Sequence, residues 1–291
     1  MNIGIIGVGF VGGATAEVLK KDHKIYFYDK YKSPYNNLNN LDLISENCKF
    51  IFLCVPTPMK KSGAIDYSNI LDSLDSLLKS VKKLGKDSSD ILIIIRSTAV
   101  PGTTEMLGEK YSFRFAFNPE FLREKYALED MQNSDRFVIG SKKVEDCEAV
   151  AKIYKSIFPK ANYILTDTKT SEMIKYAANG MLIGQIALAN EFYKICESLG
   201  INYDEVKKAI LLDDRIARNI DVPGPDGDFG FGGKCFPKDF NAIMYAAREQ
   251  GYKPYLFEEI WKSNERLRKN KDWLNIFGAT SENNFKEDHS C

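Results

Sequence analysis

The sequence predicts two parts of different class: an N-terminal α/β domain built on a doubly wound parallel sheet, then an all-helical domain built on one long helix. Three observations carry this. Short apolar runs alternate with helical stretches from the first residues to about Thr166. Those runs are continuously apolar rather than apolar at every second position, as strands covered on both faces are. From about Thr168 the strand-like runs stop, and Ser171–Leu199 contains no proline.

The strands are expected at Asn2–Ile6, Lys24–Tyr28, Lys49–Val55, Ile91–Arg96, Arg114–Asn118 and Arg136–Gly140, with a further one at Asn162–Thr166. Strands alternating with helices give the doubly wound arrangement. Ser171–Leu199 reads as one helix closed by Gly200, a good residue beyond a helix end. Further helices are expected at Tyr203–Leu212, Asp239–Gln250 and Leu256–Lys269, interrupted by the loop Asp221–Cys235. Domains are therefore expected at residues 1–167 and 168–270, followed by a polar tail over 271–291 whose end, Thr280–Cys291, is expected to fray. No internal repeat or low-complexity segment is visible.

Composition narrows the function. The chain has 291 residues, enough for two domains with substantial cores. Its 40 basic and 40 acidic side chains give no overall attraction to nucleic acid or an anionic membrane. The apolar run Ile91–Ile95 falls far short of the ~20 residues of a membrane helix. The first residues enter a strand pattern directly, without the basic and apolar regions of a signal peptide. Six cysteines (48, 54, 147, 196, 235 and 291) form no CxxC pair, and with only two histidines no zinc site is expected. A reduced, cytoplasmic protein is the expectation.

The first strand runs into Gly7-Val-Gly9-Phe-Val-Gly12 and then into a helical stretch. Gly7 permits the tight turn, Gly9 lets backbone approach a pyrophosphate, and Gly12 lets helix and strand pack closely. The second strand ends at Asp29, 22 residues after Gly7, where an acid accepts bonds from ribose hydroxyls and repels a 2′-phosphate. A Rossmann-like domain binding NAD is the expectation, with Lys30 and Lys32 leaving NADP open.

The most informative loop is Gly230-Phe-Gly-Gly-Lys-Cys235-Phe-Pro-Lys238-Asp239. Its three glycines let backbone approach a ligand. Pro237 suits the first turn of a helix, which puts Cys235 near a helix N-terminus between Lys234 and Lys238. Such surroundings favour a nucleophilic thiolate over a buried, inert cysteine. Asp239 shares a face with Cys235 if the helix begins early. Lys175 and Asn179, four apart on the long helix, project from one face and can hold an oxyanion, or simply face solvent. Glu120 and Glu124 follow a strand; on a helix both could face one cleft and one could act on water, whereas an ion pair with Arg123 is the plainer alternative. Thr98, after the Arg96-Ser97 strand end, could hold water or the nicotinamide end, or cap the helix beginning near Gly102.

Together these segments resemble the UDP-glucose/GDP-mannose dehydrogenase family. The matching stretches are Gly7–Gly12, Val55–Pro58, Ser97–Thr103, Asn118–Glu124, Glu172–Asn179 and Gly230–Asp239, in the family's order. The resemblance implies oxidation of the primary alcohol of a nucleotide sugar to a carboxylate with two NAD, most closely UDP-glucose to UDP-glucuronate. It implies Cys235 as the nucleophile that forms a thiohemiacetal and then a thioester, Lys175 and Asn179 as oxyanion holders, and Asp239 with an ordered water as base. Glu120, Glu124 and Thr98 would arrange thioester hydrolysis, with the division between the glutamates open. It further implies that NAD is held by Gly7, Gly9, Phe10, Val11, Gly12, Asp29, Val55, Pro56, Thr57 and Thr98. The sugar nucleotide would meet Glu120, Phe121, Leu122, Arg123, Lys175, Asn179, Phe229, Gly232 and Cys235.

Full-length members carry a further C-terminal α/β domain that grips the nucleotide, so a short form lacking it is expected here. The segment Pro223–Asp228 departs from the usual family loop and is expected to compensate or to recognise another substrate. The family's dimer forms through the long helix 171–199, so a homodimer is expected. Two other readings remain: a β-hydroxyacid or 6-phosphogluconate-type dehydrogenase, which needs no cysteine, and a truncated NAD-binding relic without turnover.

Overall fold

The computed structural model describes residues 1–216 and 220–282. Cys291 and most of the expected tail lie outside the described residues. The chain forms two compact units, one of Met1–Thr57 with Asp66–Lys175, the other of Pro58–Ile65 with the residues from Tyr176 on.

The first unit holds β1 (Asn2–Ile6), α1 (Phe10–Leu19), β2 (Lys24–Tyr28), α2 (Leu38–Asn47), β3 (Phe50–Leu53), α3 (Ser68–Lys83) and β4 (Leu92–Ile95). It continues through α4 (Thr103–Lys110), β5 (Arg114–Phe117), α5 (Ala127–Gln132), β6 (Arg136–Ser141), α6 (Val144–Lys155) and β7 (Asn162–Thr166). Among the described residues the sheet order is β2-β1-β3-β4-β5-β6-β7. The first five strands are parallel, β6 runs antiparallel to β5, and β7 is parallel to β6. The sheet is thus the expected doubly wound, mostly parallel one, with a single antiparallel pairing between β5 and β6. The reversal follows from the chain's return through the short α5, which does not complete a crossover to a parallel neighbour.

Alternate strand residues explain the double winding. Ile3, Ile5, Phe52, Leu92 and Ile94 pack with Ala16, Val18, Val150 and Ile153 of α1 and α6. Ile6, Ile51, Leu53, Ile93 and Ile95 pack on the other face with Ile44, Leu74, Leu77 and Leu107 of α2, α3 and α4. Around the central strands both sheet faces are dry, so those strands need apolar residues on both sides.

The expected long helix is α7 (Thr168–Leu199), one turn longer at its start, and it runs from the first unit into the second. Gly200 follows it at φ +67°. The second unit adds α8 (Tyr203–Ile210), α9 (Phe236–Glu249) and α10 (Tyr255–Leu267). Its core joins Ile183, Phe231, Phe240 and Met244, with Phe257 and Trp261 against them. The stretch from Lys271 stays within this unit as far as it is described. Trp273 is buried and lies 5.7 Å from Trp261, and Thr280 bridges to Met59. Among the described residues no helix is long and apolar enough to cross a membrane.

Candidate active-site residues

In the first unit, the glycine turn sits between the end of β1 and α1, whose N-cap is Gly9. Gly7 adopts φ +90°, and a Cβ there would lie 2.7 Å from the Cys54 carbonyl. A Cβ on Gly12 would stand 1.9 Å from the Gly7 oxygen, whereas one on Gly9 would meet nothing within 4 Å. Two of the glycines are therefore demanded by the fold itself. Gly9 leaves open space at a helix N-terminus, which fits a dinucleotide's phosphates. Phe10 and Val11 form the half-buried first turn of α1.

Asp29 Oδ2 accepts the Val8 N–H at 2.7 Å, while Oδ1 accepts the N–H groups of Tyr31 and Lys32. The carboxylate is thus fixed beside the glycine turn. Of the two lysines that kept NADP open, Lys30 pairs with Asp72 at 2.9 Å and Lys32 donates to the Val8 carbonyl. Val55, Pro56 and Thr57 follow β3; Ser97 Oγ donates to the Val55 carbonyl at 2.7 Å and Asn69 to that of Pro56.

At the ends of β4 and β5 lies a buried polar cluster. Arg96 Nη1 donates to Asn118 Oδ1 at 2.5 Å and meets the Tyr154 hydroxyl at 2.9 Å. Glu120, two residues beyond Asn118, is buried, and Lys175 Nζ donates to its Oε1 at 2.8 Å and to its carbonyl at 2.7 Å. Burial opposes the ionised form of Glu120. The Lys175 ammonium, the Leu122 N–H and the Arg96 charge outweigh it and hold the carboxyl below its ordinary range. Lys175 is therefore no solvated face residue. Phe121 lies beneath Arg136, 4.5 Å from its guanidinium, and 5.7 Å from Lys175 Nζ.

The idea that Glu120 and Glu124 share a helical face is corrected: residues 118–123 are not helical, and Glu124 is exposed at the start of a short 3-10 turn. Pro119 disfavours a helical conformation at Asn118, and the chain stays non-helical through Arg123. Nor does Arg123 pair with either glutamate; it holds Asp130. Thr98 does not cap α4. The cap position is Gly102, and the Glu172 carboxylate takes its N–H at 2.6 Å and the Thr104 N–H and hydroxyl at 2.8 and 2.6 Å. Burial raises the Glu172 carboxyl to about 7, against the lowering effect of these hydrogen bonds. Its spacing of three from Lys175 places it near the same face of α7, the sequence signal that marks it.

In the second unit, Cys235 is the N-cap residue of α9, with Pro237 in the first turn. The Asp239 N–H donates to the Cys235 carbonyl at 2.9 Å, so both stand on that first turn. Asp239 is buried, accepting from Asn179 at 2.6 Å and from Lys238 at 2.5 Å. Lys238 thus neutralises Asp239 and is corrected from the role of a free cation beside the thiol. Cys235 is half-buried, while Cys48, Cys54, Cys147 and Cys196 are buried. Burial pushes the Cys48 and Cys54 thiols up to about 12.

The glycines before Cys235 have a different cause from the one expected. A Cβ on Gly230 would lie 2.1 Å from Asn264 Oδ1, and one on Gly232 2.2 Å from Arg268 Nη2. Within this unit the space beside both is filled by protein, while Gly233 alone faces open space. Phe229 packs on Tyr193 at 5.4 Å and under Lys194. In the unusual Pro223–Asp228 segment, Asp226 binds Arg268, and Asp228 accepts the N–H groups of Lys269 and Asn270 beyond α10. Both of its acids hold contacts within the loop and to the residues beyond α10.

Residues 39–158 match the model of the UDP-glucose/GDP-mannose dehydrogenase NAD binding domain, and residues 169–266 that of the family's central domain. A UDP-glucose 6-dehydrogenase of Rickettsia prowazekii is 32% identical over 300 residues, covering 91% of this chain and 67% of the relative. The chain belongs to the UDP-glucose/GDP-mannose dehydrogenase family. A Rickettsia felis relative named UDP-glucose 6-dehydrogenase is 36% identical over 242 residues, 81% of this chain and 51% of its own length. The chain spans about half the length of such curated relatives of the family. Among solved structures, a UDP-glucose dehydrogenase from Pyrobaculum islandicum matches with TM-score 0.78 and 26% identity, over 91% of this chain and 68% of that one. A UDP-D-ManNAc dehydrogenase from Pyrococcus horikoshii shares the fold at TM-score 0.75 and 23% identity, covering 91% and 68%. Membership fixes the family's NAD-binding and central domains on this chain; the residues in and around Lys175, Asn179, Cys235 and Asp239 all fall within the matched regions or the central-domain span.

Proposed function

We propose that this chain oxidises the primary alcohol of a nucleotide sugar, UDP-glucose to UDP-glucuronate, in two successive NAD-dependent steps. The observation that carries the reading is the arrangement around α9: a half-buried cysteine at the helix N-cap, one turn before an aspartate buried between an asparagine and a lysine. A hydroxyacid dehydrogenase has no use for such a cysteine, and no observation favours that alternative.

NAD fits the open helix N-terminus at Gly9 and the fixed carboxylate of Asp29, with Val55, Pro56, Thr57 and Thr98 at neighbouring strand ends. Bound there, it supplies the hydride acceptor for both oxidations. Asp29 disfavours a 2′-phosphate, and the engagement of Lys30 and Lys32 supports NAD over NADP.

In the proposed chemistry, Asp239 with an ordered water takes the hydroxyl proton as the alcohol becomes an aldehyde. The Cys235 thiolate then forms a C–S bond to the aldehyde carbon, and Lys175 and Asn179 stabilise the oxygen that gains charge. Loss of a second hydride leaves a thioester. Water adds to its carbon, the C–S bond breaks, the acid departs and the thiolate is restored. We assign the orientation of that water to Glu120, supported by its burial and its ion pair with Lys175, with Thr98 assisting; Glu124 is exposed and takes no part. Phe121, Leu122, Arg123, Phe229 and Gly232 remain assigned to substrate contact.

We further propose a cytoplasmic homodimer through α7. Met181, Leu188, Phe192 and Leu199 are 69%, 63%, 56% and 67% exposed at seven- and four-residue spacing, an apolar stripe of the kind a partner covers.

The test is the release of NADH over a sugar-nucleotide panel, with mass spectrometry for an adduct on Cys235. Two NADH per UDP-glucose are expected, and Cys235→Ala should abolish acid formation. A stoichiometry of one, or acid made by the variant, overturns the four-electron mechanism.

A further inference from the structure

The loop that delivers Cys235 is held by side chains from three separate elements. The Gly230 N–H donates to Asn190 Oδ1 of α7 at 2.9 Å. The Phe231 N–H donates to Asn264 Oδ1 of α10 at 2.8 Å, and Asn264 Nδ2 returns a bond to the Phe231 carbonyl at 3.0 Å. The Gly233 N–H donates to the Asp272 carboxylate at 3.0 Å. Arg268 completes the frame. Its side chain is 1% exposed and binds Asp226 at 2.5 Å and Asp272 at 3.3 Å, while its guanidinium lies against Gly232 where a Cβ would stand.

Asn190 and Asn264 are themselves buried. A buried amide that accepts from the N–H and donates to the C=O of one residue fixes the two peptide groups flanking that residue. Loss of either amide leaves a buried backbone group without its partner. Only Lys234 separates the last held residue from Cys235, so the thiol's position at the start of α9 follows the loop.

We propose that Asn264 and Arg268 are positioning residues for Cys235: they set the path of residues 230–233 and thereby the direction in which the sulfur is presented. The proposal rests on the reading of Cys235 as nucleophile. Neither residue needs to touch the substrate. The amide spans Phe231 as a neighbouring strand would, and the arginine couples Gly232 to the acids on either side of it.

The test uses the full chain, with Asn264→Ala and Arg268→Lys, the latter keeping the charge but losing the planar surface and the second acid contact. Turnover of UDP-glucose, NAD binding by fluorescence titration, thermal unfolding, and the pH profile of Cys235 alkylation by iodoacetamide are measured on each. A displacement of about 1 Å can cost on the order of 100-fold in rate. The expected result is a kcat at least about tenfold lower, with the KM for UDP-glucose and NAD affinity within about twofold, and an altered alkylation profile. Should Asn264→Ala fail to fold, Arg268→Lys carries the test. Folded variants with wild-type kcat and alkylation profile overturn the proposal. The alkylation arm requires no turnover: if the wild type makes no acid, the reading of function fails while the effect on the thiol is still measured.

Discussion

Replacing Lys175 by methionine tests the buried pair in the first unit directly. Lys175 and Glu120 have side chains only 5% and 6% exposed, with nitrogen and oxygen 2.8 Å apart. Removing one partner leaves the other charge in a dry site, which costs about 3–5 kcal/mol. The pH dependence must also change sign. In the wild type the Glu120 carboxyl sits below its ordinary range, so its contribution is present above the unfolded value and fades as pH falls through the folded one. Without the ammonium, burial, the largest single influence on this group, is opposed only by the Leu122 N–H and Arg96. The carboxyl then rises, and the variant loses stability as pH rises instead. Urea unfolding followed by circular dichroism at pH 5.5 and 8 reads both effects. Lys175→Met should cost about 3–5 kcal/mol at pH 8 and less at pH 5.5, and Glu120→Gln added to it should recover much of the loss. A cost below about 1 kcal/mol at pH 8, or no recovery in the double variant, would refute the assignment of a tightly coupled pair.

Other outcomes follow from the same coordinates. Iodoacetamide at pH 8 should label Cys235 in the native protein and spare Cys48 and Cys54, whose thiols lie near 12; peptide mass spectrometry after unfolding and differential labelling checks this. Gly12→Ala places a Cβ 1.9 Å from the Gly7 oxygen and should prevent native folding, whereas Gly9→Ala, with open space around it, should fold and lose NAD affinity; circular dichroism and calorimetry separate the two. Because the Glu172 carboxyl is raised from 4.5 to about 7, its contribution is full below about 4.5 and lost as pH climbs through 7, worth about 3 kcal/mol. Glu172→Gln should flatten thermal stability between pH 6 and 8. Leu188→Glu with Phe192→Glu should yield a monomer by light scattering if the α7 stripe is the dimer face.

Much of the framework was legible in the residues alone. Continuous apolar runs separated by helical stretches determine the sheet, because strands dry on both faces need hydrophobic side chains throughout. The glycine spacing after β1 determines the turn, because Gly7 and Gly12 leave no room for a side chain whatever the ligand. Proline in the first turn of α9 and a glycine after α7 mark helix ends by local stereochemistry.

Side-chain partners across 30 or more residues were decided only by tertiary packing. Lys175 meets Glu120 across 55 positions and Asn179 meets Asp239 across 60, and no local period encodes either distance. Helical spacing placed Glu124 beside Glu120, but the loop conformation of residues 120–123 separated them. Spacing offered Lys238 to the thiol, while burial required a counter-ion and gave it to Asp239. The glycines at 230 and 232 looked like room for a ligand until Asn264 and Arg268 occupied that room. Local sequence sets which backbone shapes are allowed; desolvation and close packing choose which polar groups meet inside them, and that choice needs the whole chain.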